Sequence, residues 1–212
     1  MKTYQTEFME LALEHEVLKF GQFTLKSGRV SPYFFNLGKI STGSALARLA
    51  DAYAEALVAS GIGFDMLFGP AYKGIPLVAA VAVALSRRGM DLPFAYNRKE
   101  AKAHGEGGTM VGAPPRGRVV IVDDVLTAGT ALRESYHMLV AAGAEPVAAI
   151  TALDRQEVGP SGRSAVAEAA SELKLAILSL VTVREVLEFL GKSGGDAETI
   201  QAIENYQAQY GA

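Results

Sequence analysis

The spacing of apolar and polar residues along the chain changes at Asp65. In the opening part, apolar residues recur at helical spacing and predict a first helix with Tyr4, Phe8, Leu11 and Leu18. Gly21 follows them and is predicted to end it. Two short aromatic-rich stretches then flank residues 26–29, which predicts a β-hairpin with a four-residue turn. A second helix is predicted between a cap at residues 41–43 and Gly61.

From Asp65 onward, short apolar runs alternate with loops and helical segments. The runs are continuous and rich in β-branched residues, which is typical of strands buried on both faces. Strands are predicted at residues 65–68, 92–96, 118–122, 147–152 and 175–181, and helices from residue 74 to 88 and from residue 130 to Gly143. This alternation predicts an α/β fold with a doubly wound, mostly parallel sheet flanked by helices. The polar, Gly-rich residues 98–115 are predicted to form a long loop.

Composition narrows the class of protein. Half of the 212 residues are apolar, which favours one domain over residues 1–212, with residues 1–40 as an N-terminal helix and hairpin hood. A net charge of −3 argues against a strongly basic nucleic-acid-binding protein. The absence of cysteine excludes disulfides and thiolate metal sites and suits a cytoplasmic protein. The longest apolar run, residues 75–85, is shorter than the ~20 residues that a bilayer requires, so no membrane partner is expected.

The most informative segment follows the strand at residues 118–122. Asp123 and Asp124 emerge at its tip, and small and hydroxylated residues 127–130 then lead into a helix. Free N–H groups at a helix N-terminus favour a phosphate. The two acids would repel that phosphate, so we expect them to face the vicinal hydroxyls of a ribose or a cation bound to those hydroxyls. The alternatives are an Asp-rich helix cap and a magnesium-dependent phosphotransfer domain with a phosphoaspartate.

Residues 119–130 resemble the phosphoribosyl pyrophosphate (PRPP) signature of type I phosphoribosyltransferases. The segments FTLKSGRVSPYFFN, FGPAYKGIP, YNRKEAKAHGEGG and ALDRQE together resemble the bacterial orotate phosphoribosyltransferases, and the similarity extends from Tyr4 to Tyr210. The resemblance implies transfer of ribose 5-phosphate from PRPP to N1 of orotate, giving orotidine 5′-monophosphate and pyrophosphate in pyrimidine biosynthesis. It also implies a homodimer with shared active sites, in which the loop at residues 98–115 closes over the neighbouring subunit's site.

The resemblance further implies roles for individual residues. The implied catalytic residues are Lys102, His104, Asp123 and Asp124. The residues implied to bind PRPP are Lys26, Tyr72, Lys73, Arg98, Lys99, Lys102, His104, Asp123, Asp124, Val125, Leu126, Thr127, Ala128, Gly129, Thr130 and Ala131. The residues implied to bind orotate are Lys26, Phe34, Phe35, Thr127 and Arg155. Mg²⁺ is expected to be carried mainly by PRPP and pyrophosphate, without a dedicated metal site in the protein.

Several of these assignments have structural alternatives. Phe34 and Phe35 could be core residues of the hairpin, and Arg155 could simply pair with Asp154. Lys73 could be a surface residue of an ordinary βα loop, and residues 98–115 a solvated loop. At the level of function, the alternatives are a phosphoribosyltransferase that acts on a purine base and a PRPP-sensing regulator. The hairpin and Arg155 favour an anionic pyrimidine, because a planar carboxylate suits a guanidinium fork.

Overall fold

The chain forms seven helices and eight strands in its described parts. The structure, a computed structural model, describes residues 1–25, 27–102, 108–126, 129–159 and 162–212, with the backbone alone for residues 101, 102 and 108. The helices are α1 Thr3–Glu14, α2 Gly43–Ser60, α3 Gly74–Ser86, α4 Thr130–Ala141, α5 Ala165–Leu173, α6 Val183–Ser193 and α7 Ala197–Tyr210. The strands are β1 Leu18–Thr24, β2 Val30–Phe35, β3 Met66–Gly69, β4 Phe94–Lys102, β5 Gly108–Gly112, β6 Arg118–Val122, β7 Glu145–Asp154 and β8 Ala176–Thr182.

Six strands form the main sheet in the order β5-β4-β3-β6-β7-β8. All neighbouring pairs are parallel except β4 and β5, which are antiparallel. Residues 119–122 of β6 are completely buried, as their continuous apolar run predicts. Alternate residues of β6 pack with α2 and α3 on one face and with α4 and α5 on the other. The predicted doubly wound, mostly parallel sheet is therefore confirmed.

The N-terminal hood is a separate two-stranded sheet. Strands β1 and β2 pair antiparallel, and Leu25 and Arg29 close the turn through a 2.8 Å backbone hydrogen bond. Phe35 of β2 packs towards the core against Phe8 of α1, with ring centroids 6.4 Å apart. Helix α7 covers another part of the hairpin, where the ring of Tyr206 meets the edge of Tyr33 at 6.4 Å. The hairpin is thus held from both ends of the chain.

Two predicted elements were wrong. Helix α1 ends at Glu14, and Leu18 belongs to β1, because Glu16 adopts a left-handed conformation (φ +55°) that a helix cannot continue through. The loop predicted at residues 98–115 is wrong for residues 98–102 and 108–112, which belong to β4 and β5. Strand β5 is the edge of the sheet, and residues 98–102 of β4 extend past the last pair with β3, at Tyr96. Polar side chains are tolerated there, so a polar composition does not indicate a loop.

The remaining boundaries agree with the pattern of the sequence. Thr42 caps α2 and accepts a hydrogen bond from Ala45, and Gly61 ends the helix in the left-handed conformation. Helices α5, α6 and α7 were not predicted, although Thr182 and Glu185 form a capping box at the start of α6. Within the described ranges, no helix combines the length and the apolar character needed to cross a membrane.

Candidate active site

The predicted acids lie at the carboxyl edge of the sheet, where β6 runs on beside β7. Asp123 donates its N–H to the carbonyl of Ile150 at 3.0 Å, and Asp124 accepts the N–H of Ala152 at 2.8 Å. The backbone after β6 is therefore held by the neighbouring strand rather than by a free turn. In open α/β sheets this edge is where ligands bind.

Asp124 forms an ion pair with Lys73 from the loop after β3. Its Oδ2 lies 2.5 Å from the Lys73 Nζ, and its Oδ1 accepts the Val125 N–H at 2.8 Å. The carboxylate side chain is only 11% exposed, whereas that of Lys73 is 53% exposed. A buried carboxylate next to a solvent-reaching ammonium leaves the cation able to contact a second anion.

A buried tyrosine of α2 holds the backbone of Asp123 in place. The Tyr53 hydroxyl of α2 donates to the carbonyl of Asp123 at 2.9 Å, and the Asp123 carboxylate accepts the Asp124 N–H at 2.9 Å. Burial raises the pKa of Asp123 to about 7, against the opposing effect of that N–H, and the charge of Asp124 adds to the rise. The pair thus carries less than its full negative charge near neutral pH until a cationic or hydroxyl-bearing group arrives.

The loop after β3 approaches β4 and the start of α3 closely. A side chain at Gly69 would collide with the carbonyl of Gly74, so only glycine permits this turn. The N–H of Ala71 donates to Asn97 Oδ1 of β4 at 2.8 Å. The exposed ring of Tyr72 faces the Lys99 Nζ, 5.0 Å from the ring centroid. The structure thereby brings Tyr72, Lys73 and Lys99 to one edge of the sheet, while Arg98 is half-buried beside them.

The predicted phosphate loop leads into α4. Gly129 caps the helix with φ +74°, and a side chain there would meet the Arg133 guanidinium at 2.7 Å. Thr130 and Ala131 begin the helix and are exposed, and Val125 and Leu126 are half-buried before it. Exposed first-turn N–H groups are a suitable seat for a phosphate.

Several predicted residues lie outside what the structure describes. Lys102 closes β4, and its side chain is outside the described part. The others lie outside the described residues altogether: Lys26, His104, Thr127 and Ala128.

The predicted base-binding residues divide between two environments. Phe34 is 41% exposed and stacks on Phe23 at 5.5 Å, whereas Phe35 on the opposite face packs into the core. Arg155 follows β7 and donates to Ser31 Oγ of the hairpin at 2.9 Å. This bond joins residues 124 positions apart and places the hairpin over the carboxyl edge. Arg155 pairs with Glu157, not with Asp154, so the structural alternative of an Asp154 pair is wrong.

Known proteins identify the family of this chain. The family model described as "Phosphoribosyl transferase domain" matches residues 36–168. A protein of Thioalkalivibrio sulfidiphilus named orotate phosphoribosyltransferase is 58% identical over 212 residues, which is 100% of each chain. This chain belongs to the orotate phosphoribosyltransferase family.

Other members of the orotate phosphoribosyltransferase family agree along the whole length. A member from Saccharophagus degradans is 55% identical, over 100% of this chain and 99% of its own. The crystal structure of a member from Francisella tularensis superposes with a TM-score of 0.88 at 42% identity, covering 97% of this chain and 99% of that chain. The predicted resemblance to this family is confirmed, and the fold is the one that the alternation of strands and helices predicted.

Some residues of this family member's site were missed by sequence reasoning. Asn97 and Tyr53 hold the backbone at Ala71 and Asp123. Tyr53 stands in a segment predicted only as helix, and Asn97 lies between the strand predicted at residues 92–96 and the loop predicted at residues 98–115. Glu157 was not assigned a role. Its signal was weak but present, because an acid two residues after Arg155 in a βα loop can reach the guanidinium.

The donor set at the acidic edge bears on the expected magnesium ion. Within the described ranges, no three His, Asp or Glu side chains converge as a metal-binding group. Asp124 is already bonded to Lys73 and Val125, and Asp123 to the Asp124 N–H. The two carboxylates fit contact with the hydroxyls of a bound sugar. They also fit contact with an ion that such hydroxyls and a pyrophosphate would hold, since they do not by themselves form a complete set of metal ligands.

Proposed function

We propose that this chain transfers the ribose 5-phosphate group of PRPP to N1 of orotate, forming orotidine 5′-monophosphate and releasing pyrophosphate in pyrimidine biosynthesis. The observation that carries the proposal is the pair of the half-buried Asp123 and the buried Asp124, with Lys73 beside Asp124 at the carboxyl edge of the sheet. Full-length similarity to proteins named orotate phosphoribosyltransferase supports the same activity. The expected cytoplasmic location stays a prediction.

The carboxylates of Asp123 and Asp124 would stabilise the positive charge that develops on the sugar. As the bond from C1 of the ribose to pyrophosphate lengthens, the ring becomes oxocarbenium-like, and anions held beside it lower the barrier. We assign Asp123 and Asp124 to the 2′ and 3′ hydroxyls. Burial raises the pKa of Asp123 to about 7 and so favours its neutral form in the absence of substrate. Hydroxyl donors and the growing cation would both favour its charged form.

The phosphates are assigned to two loops on the same edge. The 5-phosphate would be held by residues 127–131 at the start of α4, where Gly129 allows a close backbone approach. The pyrophosphate would be held by Tyr72 and Lys73 after β3. Lys73 is suited to it, because its exposed ammonium can exchange Asp124 for a phosphate oxygen.

The β4–β5 edge is assigned to closure over the leaving group. Arg98, Lys99, Lys102 and His104 would supply positive charge, with Lys102 and His104 stabilising the transition state and handling a proton. Excluding water there prevents hydrolysis of the activated donor. The contact of Lys99 with the Tyr72 ring supports a link between this edge and the pyrophosphate loop.

The base is assigned to the space beneath the hood. Lys26, Phe34, Phe35, Thr127 and Arg155 would surround orotate, and the guanidinium of Arg155 would take its carboxylate. The bond from Arg155 to Ser31 supports this placement, because it ties the hairpin to the end of β7.

The proposal includes Mg²⁺, which PRPP and pyrophosphate would carry into the site. When bound, it would neutralise negative charge on the pyrophosphate that leaves. Asp123 and Asp124 would contact it through the ribose hydroxyls. A direct check is isothermal titration of PRPP with and without Mg²⁺, and we expect the heat of binding to weaken strongly without the ion.

A homodimer with shared sites is also proposed. Helix α3 carries no charged residue over Gly74–Ser86, and its outward side includes the exposed Pro76 and Val83. A helix that is apolar all round is normally covered by protein. We assign this face to a second copy of the chain, whose β4–β5 edge closes over the first copy's site.

Two experiments test the proposed function. Orotate-dependent release of pyrophosphate from PRPP should be measurable, while adenine, xanthine and uracil should not replace orotate. No release with any base would contradict the activity. For shared sites, subunits with Lys102→Ala are mixed with subunits carrying Asp123→Asn and Asp124→Asn. Partial recovery of activity is expected in a verified mixed dimer, and no recovery would mean self-contained subunits.

A further inference from the structure

Arg155 is held on one side by a residue that has no assigned function. Glu157 Oε1 accepts the Arg155 Nε–H at 2.7 Å and lies 2.6 Å from its Nη2. Nη2 also donates to Ser31 Oγ at 2.9 Å. The guanidinium lies over the buried ring of Tyr33, 4.2 Å from the centroid. Three residues from two parts of the chain, Ser31 and Tyr33 of β2 and Glu157 after β7, therefore fix the plane of this side chain.

The N–H groups of the Arg155 guanidinium differ in whether they have a hydrogen-bond acceptor. Nε and Nη2 are bonded to Glu157 and Ser31, whereas the described ranges show no direct hydrogen bond from Nη1; the buried Tyr206 hydroxyl is the other polar group close to the guanidinium. An arginine has five N–H groups in a rigid fork. Its orientation is thus set by the edge facing Glu157, and the N–H groups of Nη1 are the ones left for a ligand.

Glu157 also balances the charge around this site. Its Oε2 lies 3.5 Å from Arg29 Nη1, and its side chain is 16% exposed. One carboxylate between two guanidiniums leaves a net charge of +1, which one ligand carboxylate would neutralise. A second unpaired arginine would attract phosphate groups less selectively.

The backbone around Glu157 is fixed by the C-terminal helix and the residues after it. Glu157 pairs with Gly211 in an antiparallel bridge, and the Val158 N–H donates to the carbonyl of Tyr210 at 2.8 Å. The Gln207 side chain donates to the carbonyl of Arg155 at 3.1 Å. Glu157 is therefore part of a rigid frame, which is what a residue that orients another one requires.

We propose that Glu157 is a positioning residue that determines selectivity for a carboxylate-bearing pyrimidine. It occupies the Nε and Nη2 edge of Arg155 and so directs the unused Nη1 group to the carboxylate of the base. This inference rests on the proposed function, in which Arg155 binds orotate. Without Glu157, the guanidinium keeps its hydrogen bond to Ser31 and its contact with the Tyr33 ring, but it loses the bidentate carboxylate that fixes its rotation in the plane.

The test separates KM for orotate from KM for PRPP and from kcat. Glu157→Ala should raise KM for orotate by about tenfold or more, the effect of losing one well-oriented charge-assisted contact. KM for PRPP should stay within about twofold, since the acidic edge is unchanged. The preference for orotate over uracil should fall in parallel. Glu157→Gln keeps one acceptor oxygen and should recover part of the selectivity.

A matched control is Glu14→Gln. Glu14 makes an arginine pair of the same length, 2.6 Å to Arg48, at the surface of α1. This variant should leave both KM values unchanged. Thermal unfolding of each variant shows whether it is folded, and Glu157→Gln decides the question if Glu157→Ala does not fold.

Three outcomes would overturn the proposal, and they are distinguishable. An unchanged KM for orotate in Glu157→Ala, with a raised KM in Arg155→Ala, would leave the proposed function intact but remove the role of Glu157. An unchanged KM in both variants would contradict the assignment of Arg155 to the base. Equal rises in both KM values, without rescue by Glu157→Gln, would mean that Glu157 only stabilises the fold.

Discussion

The acidic edge after β6 and the arginine network after β7 lie on neighbouring strands but balance charge in opposite ways. At the first, the ammonium of Lys73 pairs with Asp124, while the Asp123 carboxylate accepts only the Asp124 N–H among the described residues, so two carboxyl groups face one cation. At the second, Glu157 lies between Arg29 and Arg155, and the excess is positive. In each case one counter-charge fixes the geometry while the surplus remains for the ligand.

The two regions also differ in how the chain builds them. The acidic edge comes mainly from one continuous segment, which the side chains of Lys73 and Tyr53 and the backbone of β7 join from elsewhere. The arginine network unites β2, the end of β7 and α7. We therefore expect mutations at the two regions to separate PRPP-dependent from orotate-dependent effects.

The largest effect is expected from Asp124→Asn. In the proposed function its charge acts mainly on the cation that forms on the sugar, so kcat should fall by about 10²–10³-fold, the scale for losing one electrostatic stabiliser. The variant should unfold within a few degrees of the original chain. Steady-state kinetics and thermal unfolding check this, with Glu188→Gln as a surface control. A loss of stability in proportion to activity would contradict it.

A smaller effect, confined to one substrate, is expected from Lys73→Met. Removing the ammonium should raise KM for PRPP by about ten- to a hundredfold and leave KM for orotate nearly unchanged. Arg155→Ala should show the reverse pattern. Both are measured by varying one substrate at saturating concentrations of the other. If either variant changed both KM values alike, the two regions would not act separately.

The pH dependence of stability tests the burial of Asp123. Burial raises the folded pKa of Asp123 to about 7, above the ordinary aspartate value of 3.8, so the folded chain holds this proton more tightly than the unfolded chain. The stabilisation is complete below pH 4 and is lost as pH rises to 7. Asp123→Asn removes this loss, so between pH 5 and pH 8 it should gain about 2 kcal/mol relative to the original chain.

Denaturant unfolding at both pH values measures the change in the free energy of unfolding for Asp123→Asn. The comparison is made without PRPP, so that ligand binding does not contribute. A constant difference between the variant and the original chain at the two pH values would show that Asp123 titrates as an ordinary carboxylate.

The smallest effect is expected from Asn97→Ala. The Ala71 N–H loses its acceptor, which costs about 1 kcal/mol, and the pyrophosphate loop loses its tie to β4. KM for PRPP should rise by about fivefold with kcat little changed. Asn97→Asp keeps an acceptor oxygen and should retain the stability. An unaltered KM for PRPP in Asn97→Ala would show that the loop is held without this bond.

The contrast between the regions explains what the sequence could predict. Asp123 and Asp124 were predictable because a buried β-branched strand, its acids and the following helix cap are contiguous, and the parallel sheet then fixes their edge. The family resemblance added the roles of residues that no local pattern distinguishes, such as Arg155.

Long-range contacts were not predictable in the same way. Ser31 meets Arg155 across 124 positions, and Asn97 meets Ala71 only after β3 and β4 pair. The spacing of apolar residues along the chain does not indicate such contacts, since each depends on how distant elements pair in the folded protein. The polar residues 98–102 were wrongly predicted as a loop for a related reason. They extend past the last β3 pair, at Tyr96, beside the edge strand β5, where a strand needs no continuous apolar run.

The bond between Lys73 and Asp124 has a consequence for the reverse reaction. One ammonium cannot serve a carboxylate and an incoming pyrophosphate equally, so arrival of the nucleophile would draw the cation away from Asp124. The carboxylate would then be uncompensated at the moment when the departing nucleotide base leaves an electron-poor sugar. By microscopic reversibility, the same exchange of partners returns the lysine to Asp124 as pyrophosphate departs in the forward direction.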